Sequence, residues 1–326
     1  MTHEPLPVVR AADLDDGDGQ ARWLVEPLWA RAAVGILGGA PKCCKSWLGL
    51  DIALSVASGT PALDAFDVHD KGPALLFMAE DAAAVVKRRL TGLCAHRGLT
   101  LDGVPLHVIT APALRLDRER DQARLREAVR RCAPRLLLLD PFVRLHRIDE
   151  NDAGEVSALL GYLRELQREL DLAVLVVHHA RKNGSAVQPG QSLRGSGDLH
   201  AWGDSNLYVR RTKDALALTV EHRAARAPES ISLALVDDGH PHLALATPVA
   251  ADGGDGVALD ERVLDALRGA RAPLGRARLR DALRVRNERL GEALARLVAA
   301  GAVLHAGDGW AVPVPAPHEG AGTERP

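Results

Sequence analysis

The stretch that decides the fold is GAPKCCKS, which runs from Gly39 to Ser46. An apolar segment, residues 33–38, precedes it, and a helix-like segment, residues 47–54, follows it. A strand, a tight loop and a helix in this order are typical of a phosphate-binding loop, in which backbone N–H groups and the helix N-terminus face the phosphates. We therefore expect Lys45 to reach the β- and γ-phosphates of a nucleotide and the Ser46 hydroxyl to bind Mg²⁺.

The loop departs from the pattern G-x-x-x-x-G-K-[ST] at one position, because Cys44 stands where the pattern has glycine. Glycine has no Cβ and tolerates strained backbone angles close to a ligand. The lysine and the hydroxyl remain, so we expect nucleotide binding that is weakened but not lost. The residues predicted to contact the nucleotide are Gly39, Ala40, Pro41, Lys42, Cys43, Cys44, Lys45, Ser46 and Trp47.

Composition excludes several classes of protein. The chain has 326 residues, enough for two domains, with 47% hydrophobic and 26% charged residues, as in ordinary globular proteins. The formal net charge of −2 gives no overall nucleic-acid signature. No apolar run reaches the roughly 18 residues of a membrane span. The four cysteines lack C-x-x-C spacing, which favours a reducing cytoplasm.

Residues 23–249 alternate short apolar strands with helical patterns, which predicts an α/β domain with a parallel sheet. The predicted strands are Val34–Leu37, Ala74–Met78, Leu106–Thr110, Leu136–Leu139 and Ala173–Val177. The predicted helices are Lys45–Ala57, Ala82–His96, Arg120–Cys132 and Glu155–Glu169. Three further strands with short connections predict antiparallel hairpins at the end of the sheet: Leu207–Arg211, Ala215–Glu221 and Ile231–Val236. Asn183–Gly197, rich in Gly, Ser and Gln, predicts a mobile loop.

The remaining segments flank this domain. Residues 1–22 are predicted to form a flexible leader, residues 250–256 (AADGGDG) a linker, and residues 314–326 a disordered tail. Residues 257–313 contain three helical patterns followed by two short strands around Gly307-Asp308-Gly309. Three helices and a glycine-turned hairpin predict a winged helix-turn-helix domain.

That C-terminal segment has its own charge pattern. Eight arginines in residues 268–289 are opposed by only Asp281 and Glu288, which indicates a surface able to contact phosphates. The third helix is mixed in charge, and its Leu290, Leu294, Leu297 and Val298 are predicted to face the core. Some winged helices bind protein instead, so both DNA and protein stay open as ligands. The arginines are at positions 268, 271, 276, 278, 280, 284, 286 and 289.

Several polar residues follow the predicted strands. Asp140 ends an apolar run, where a carboxylate on a strand beside the loop's own strand could hold Mg²⁺. Glu80 follows another strand and could polarise an attacking water, whereas Asp81 is more simply a helix N-cap. His178 and His179 close the fifth strand; one of them could sense the γ-phosphate, or both could be satisfied structural histidines. Arg194, in an Arg-Gly-Ser-Gly run, could bind phosphate or remain in solvent.

Taken together, these motifs resemble the RecA-like ATPases of the RepA, KaiC and DnaB type, and especially the RepA-like hexameric helicase group. The resemblance covers residues 23–240. It implies a RecA-like P-loop NTPase core of the α/β class with a mostly parallel sheet. The matching stretches are Pro41–Gly59, Leu75–Asp81, Leu136–Pro141, Val176–Lys182 and Leu193–Arg211.

The resemblance also implies residue roles. Lys45 and Ser46 match the phosphate-binding lysine and hydroxyl, Glu80 the catalytic glutamate, Asp140 the Mg²⁺-binding acid and His179 the sensor histidine. Arg223 is the candidate for the basic residue that such rings insert into a neighbouring subunit's site, with Arg210 and Arg211 as rivals. Asp204 lies about where the RepA-like group would have its arginine finger, a departure from that group's pattern.

The function implied is an ATP- and Mg²⁺-dependent motor that acts on DNA as a ring, with a hexamer as the expected assembly. A replicative helicase of a plasmid, phage or other mobile element is the first hypothesis. Single-stranded DNA would pass through the ring, and duplex DNA would bind the winged helix. The alternatives are a KaiC-like regulatory ATPase without unwinding activity and a DNA-binding regulator that binds nucleotide without hydrolysing it.

Overall fold

The computed structural model describes residues 6–14, 22–150, 152–179, 198–211, 216–246, 253–270, 272–283, 287–306 and 309–313. The predicted loop at 183–197 with Arg194, the tail at 314–326, and Arg271, Arg284 and Arg286 lie outside these residues. Contacts divide the chain into two units, residues 1–246 and residues 247–326. Among the described helices, none combines the length and apolarity that crossing a membrane requires.

A nine-stranded sheet forms the centre of the first unit, in the order β11-β10-β9-β8-β3-β7-β6-β4-β5. Strands β5, β4, β6, β7, β3 and β8 run parallel, and β8, β9, β10 and β11 pair antiparallel. This confirms the predicted α/β class with a mostly parallel sheet. The strands of the sheet are β3 (Val34–Gly39), β4 (Ala74–Met78), β5 (Leu106–Val108), β6 (Leu136–Asp140), β7 (Ala173–His179), β8 (Ser205–Arg211), β9 (Leu216–His222), β10 (Ile231–Val236) and β11 (His242–Leu245).

Helices cover both faces of the sheet. One core packs α1 and α2 against one face, and a second core packs α3 and α4 against the other. Because the central strands are covered on both sides, they are continuous apolar runs, such as the fully buried Leu136–Leu139. The helices of the first unit are α1 (Lys45–Ser58), α2 (Ala83–His96), α3 (Glu119–Cys132), α4 (Ala153–Leu170) and α5 (Asp198–Trp202).

The topology corrects one sequence expectation. Asp140 was expected on a strand beside the strand of the phosphate-binding loop, but β7 lies between β6 and β3. The strand that ends in the two histidines is therefore the neighbour of β3. The sequence also did not predict α5, the edge strand β11, or the small antiparallel pair of β1 (Trp23–Val25) and β2 (Trp29–Ala30), which are two to five residues long.

The second unit contains α6 (Gly253–Arg268), α7 (Arg276–Leu283), α8 (Asn287–Ala299) and an antiparallel hairpin of β12 (Leu304–Ala306) and β13 (Gly309–Ala311). This is the predicted order of elements, and the winged-helix assignment stays a prediction. The linker prediction is wrong for residues 253–256, which α6 includes. A glycine costs a helix only about 1 kcal/mol, so a helix anchored by buried Val263 and Leu267 can extend through them.

The core of this unit follows the helical period. Leu290, Ala293, Leu294 and Leu297 of α8 are buried, which is the spacing of one helix face. Val298 was predicted to join them but is 47% exposed. The buried face extends instead to the other side of Leu290, where Ala293 joins the same core.

Candidate nucleotide-binding site

The phosphate-binding loop connects β3 to α1, and its backbone needs special conformations at two positions. Lys42 has φ 62°, and Cys44, the residue before α1, has φ 64° and ψ 21°. Both lie in the left-handed region that glycine adopts at no steric cost. The usual pattern has glycine at position 44 because the backbone there is left-handed. Cysteine adopts this conformation only under strain.

Gly39, where the loop begins, is fixed by a close approach of backbone. A Cβ built at Gly39 would lie 2.3 Å from the carbonyl oxygen of Val209 on β8 and 2.8 Å from Sγ of Cys43. No side chain fits in that space. The carboxyl ends of β3 and β8 therefore meet closely at the loop, which brings the end of β8 into the site.

Lys45 is buried at the start of α1, and its ammonium is held by the loop itself. Nζ donates to the carbonyl oxygens of Gly39 at 2.9 Å and Ala40 at 2.8 Å. Burial lowers the pKa of Lys45, while nearby Cys43 and Asp140 favour its charged form. Burial also raises the pKa of the Cys43 thiol. These carbonyl contacts keep the ammonium centred over the loop, where a nucleotide's phosphates would accept from it.

Asp140 ends β6 and points to the same side of the sheet as α1, because it shares strand parity with Leu136 and Leu138 of the core beneath that helix. Burial raises the pKa of Asp140 to about 6, against the lowering effects of the Ser46 hydroxyl and the Lys45 ammonium. The negative charges of Asp81 and Glu80 also raise the pKa of Asp140. Three residues predicted for the site, Lys45 and Ser46 at the start of α1 and Glu80 after β4, therefore act on this carboxyl group.

The chemistry of this cluster fits a magnesium ion. Oδ2 of Asp140 is buried and has no hydrogen-bond partner among the described residues. An unpaired buried carboxylate oxygen is costly unless a cation or donor satisfies it. Mg²⁺ prefers oxygen ligands and is usually bound in proteins by one or two carboxylates or hydroxyls together with substrate phosphates. Ser46 and Asp140 supply such a pair.

The two histidines end β7, the strand between the loop's strand and that of Asp140. His179 lies in register with Gly39, and His178 with Gly38. His178 is buried and packs edge-on against Phe142, with ring centroids 5.7 Å apart, on the face opposite α1. Alternation along the strand places His179 on the α1 face, beside the start of the phosphate-binding loop. Of the pair, His179 therefore has the position that a sensor needs.

Glu80 follows β4 on the same edge of the sheet. It is exposed, and its Oε1 accepts a hydrogen bond from Nε of Arg144 at 2.9 Å. The carboxylate would have to leave this ion pair, which is exposed and therefore weak, to orient a water. The N-cap assignment for Asp81 is wrong: α2 begins after Ala82, and Asp81 instead forms an ion pair with Arg89. The same Arg89 lies 5.3 Å over the ring of half-buried Trp47.

Arg211 is the site residue that the sequence ranked too low. Its Nη2 donates to the carbonyl oxygen of Lys42 at 3.1 Å and lies 3.8 Å from Sγ of Cys44. It ends β8, which pairs with β3 up to Val209 and Gly39, so it reaches the loop of its own chain. The signal in the sequence was a pair of arginines ending a strand, but only the pairing of β8 with β3 shows what they face.

Arg223 lies at the opposite edge of the sheet. It follows β9, whose end pairs with the start of β8, away from the loop. Its Nη2 donates to the carbonyl oxygen of Ala201 at 2.5 Å, and its Nη1 lies 3.3 Å from Oδ1 of Asp204. Asp204 also pairs with Arg164 and accepts from the Val34 backbone. Asp204 is thus a structural anchor, and half-exposed Arg223 does not contact its own chain's site.

Comparison with known proteins agrees with this geometry. The AAA domain family matches residues 2–185, more than half of the sequence. The chain belongs to the AAA domain family. Among solved structures, a DnaB-like replicative helicase described with its interactions with primase is similar at 15% identity and a TM-score of 0.52. The match covers 66% of this AAA domain protein and 59% of the helicase chain, so the protein spans less than two thirds of that chain.

A second solved structure, the RadB recombinase, is similar at 15% identity and a TM-score of 0.49, over 66% of this chain and 91% of the recombinase. The family match and the helicase likeness confirm the resemblance to RecA-like P-loop ATPases of the DnaB and RepA type. What the likeness establishes is the fold of this AAA domain protein.

Proposed function

We propose that this AAA domain protein binds and hydrolyses ATP with Mg²⁺ and uses the energy to act on DNA, as a RepA-like replicative helicase of a plasmid, phage or mobile element. The observation that carries the proposal is the convergence of Lys45, Ser46 and Asp140 at the carboxyl edge of the parallel sheet. Ligands of α/β proteins bind at this edge, and the helix N-terminus adds a positive end to it.

Each residue has a role that its position supports. Lys45 would donate to the β- and γ-phosphates, and Arg211, which donates to the Lys42 carbonyl, adds a second cation at the loop. Ser46 and Asp140 would hold Mg²⁺, which when bound supplies charge neutralisation for the phosphates. Glu80 would orient the attacking water after leaving Arg144, and His179 would report the state of the γ-phosphate. Phosphoryl transfer depends chiefly on such positioning and charge stabilisation.

DNA as the substrate is supported by two features. The similar helicase is by its description a replicative helicase, and helix α7 of the second unit carries three exposed arginines, Arg276, Arg278 and Arg280. Arginines clustered on one short helix suit contacts with phosphate groups. Ring assembly, with a hexamer as the expected form, would let Arg223 reach the site of a neighbouring subunit.

The test is Glu80→Gln, which keeps the size of the side chain but removes its negative charge. We expect the variant to bind ATP like the wild type and to turn it over about 100-fold more slowly or worse, because positioning the water is most of this catalysis. The matched control is Glu127→Gln, which makes the same change at an exposed glutamate of α3, with turnover expected within about threefold of wild type. Near-normal turnover in Glu80→Gln removes the glutamate from the mechanism.

One observation favours a second candidate. The left-handed backbone at Cys44 strains the loop at the phosphate cradle, which suits a regulator that binds nucleotide and DNA without hydrolysing ATP. Turnover measured with and without single-stranded DNA separates the two. DNA-stimulated turnover supports the motor, and ATP binding without turnover supports the regulator. Turnover that DNA does not change, without strand unwinding, supports a KaiC-like regulatory ATPase.

A further inference from the structure

Outside the phosphate-binding loop, three side chains with metal-binding atoms meet on the face that α1 and α2 cover. They are Asp64 from the connection after α1, His96 at the end of α2 and His242 at the start of the edge strand β11. One ligand atom from each lies within 4.8 Å of the other two. We infer that this cluster is a zinc site that fastens β11 to the helical layer.

The donor set is one that transition metals select. Two imidazoles and a carboxylate form a three-ligand site for Zn²⁺, with the remaining position open to water. Zinc bonds of about 2.0–2.1 Å require ligand atoms about 3.3 Å apart, so the cluster must contract by about 1.5 Å at most. His96 and Asp64 already meet, with Nε2 and Oδ2 at 2.8 Å. These two atoms share a hydrogen bond, and a bound metal would take the place of its proton.

The tautomer of His242 is set for metal binding. Its Nδ1 lies 2.8 Å from the carbonyl oxygen of His240, and a carbonyl only accepts, so Nδ1 carries the proton. In the neutral ring Nε2 then bears the lone pair. Metal-binding histidines typically donate their other ring N–H to a carbonyl or carboxylate in this way. Asp238, with Oδ1 3.8 Å from the same Nδ1, adds a negative charge behind the ring.

The two rings are already in contact. His96 and His242 stack with centroids 3.5 Å apart and planes inclined by 21°. A metal lies in the plane of each imidazole that binds it, so one ring must rotate out of the stack for both nitrogens to reach the same ion. His96 is the last residue of α2, where the helix dipole favours a cation.

The surroundings let a metal enter and balance its charge. His242 is buried, His96 is 22% exposed at the side chain and Asp64 is 50% exposed, so the cluster opens to solvent on the aspartate side. Arg97 is the opposing charge, with its Nε 3.6 Å from Oδ1 of Asp64. Its guanidinium is neutralised by the buried carboxylate of Asp51 at 2.6 Å. A bound Zn²⁺ would therefore lie beside an arginine whose charge Asp51 already neutralises.

The experiment titrates Zn²⁺ into untagged, chelator-treated full-length protein with excess Mg²⁺ and reductant present. We expect one tight equivalent of Zn²⁺ and a rise in Tm of about 5 °C or more when free Zn²⁺ exceeds its Kd about 100-fold. His242→Ala and His96→Ala should each lower the affinity at least 100-fold. His69→Ala is the matched control, since His69 pairs with a carboxylate, Glu26, outside the cluster.

Two readouts keep the test independent of folding and of the thiols. Co²⁺ substitution should give a d–d absorption without a thiolate charge-transfer band, because the ligands are nitrogen and oxygen. A thiolate band would assign the metal to one or more of the four free cysteines and overturn the site. Circular dichroism and ATP binding should be unchanged in the variants, so failure of this site is distinguishable from failure of the nucleotide site. Equal Zn²⁺ binding by wild type and both histidine variants, or no tight equivalent in wild type, overturns the inference.

Discussion

Cys44 is the residue where sequence and backbone conflict most directly. It holds φ 64° at the tightest part of the phosphate cradle, a conformation that costs a residue with a Cβ about 1–2 kcal/mol. Cys44→Gly relieves this strain, although glycine also has more freedom to lose on folding. We expect ATP to bind about 3- to 10-fold more tightly to the glycine variant and turnover to rise. Nucleotide titration of both proteins in reductant measures the difference.

Cys44→Ala is the control for that prediction. Alanine removes the thiol, and with it the 3.8 Å approach to Arg211, but it keeps the Cβ and therefore the strain. A gain in the glycine variant alone assigns the effect to the backbone, and a gain in both assigns it to the thiol. Equal or weaker binding by Cys44→Gly would show that the loop has adapted to cysteine.

Asp140 gives a prediction about pH. Its pKa is raised to about 6 in the folded chain, so between about pH 4 and pH 6 the native state binds more protons than the unfolded state. The free energy of unfolding therefore falls as pH rises through this window, by about 2–3 kcal/mol for two units of pKa. Asp140→Asn lacks the effect, so the variant should gain stability relative to wild type by about that amount between pH 4 and pH 8.

Urea unfolding of the magnesium-free protein at several pH values measures this difference. The control is Asp102→Asn, which removes an exposed carboxylate, and its stability should follow that of wild type at every pH. A constant difference between Asp140→Asn and wild type across the pH range would contradict the raised pKa.

At the scale of elements, close approach between β3 and β8 shapes the site. Gly39→Ala places a Cβ 2.3 Å from a backbone oxygen that cannot move without shifting β8. We expect a loss of about 2–3 kcal/mol in the free energy of unfolding and weaker ATP binding, because the start of the loop must shift. Gly92→Ala, in helix α2, is the matched control: its Cβ meets nothing within 4 Å, and it should stabilise by about 0.5–1 kcal/mol. Similar effects of both substitutions, in urea unfolding, would contradict the argument.

The elements also show what the sequence could and could not predict. Long periodic segments such as α3 and the apolar run of β6 were predicted within one residue at each end, because burial on one or both faces dictates their pattern. Strand order and the five-residue α5 were not predictable, since pairing depends on contacts between segments far apart in sequence. The same limit applies to the site. Lys45 and Ser46 are given by a local motif, whereas the contact of Arg211 with the loop depends on the pairing of β8 with β3.

At the scale of the whole molecule, the division after Ala246 separates two expected activities. A chain ending at Ala246 should keep the nucleotide site and its basal ATPase within about threefold, because Lys45, Ser46, Asp140 and Arg211 all belong to the first unit. Its affinity for duplex DNA should fall at least 10-fold, and the slope of log affinity against log salt should flatten by roughly one for each phosphate that an arginine no longer neutralises. Unchanged affinity and slope, in a fluorescence anisotropy titration over salt, would favour a protein ligand for the second unit.

Assembly decides whether Arg223 takes part in catalysis. The residue lies at the sheet edge away from its own loop, is half-exposed, and rests on Asp204 and the Ala201 carbonyl. A surface ion pair of this kind is weak, so a neighbouring site could draw the guanidinium away at little cost.

Arg223→Ala should therefore leave oligomers intact and lower ATPase about 10-fold or more. Mixing it with Lys45→Ala should restore part of the activity, because each variant spoils a different half of a shared site. The control mixes the double variant Lys45→Ala/Arg223→Ala with Lys45→Ala, and this mixture should stay inactive. Absence of rescue at every mixing ratio, with subunit exchange demonstrated, would confine Arg223 to its role beside Asp204.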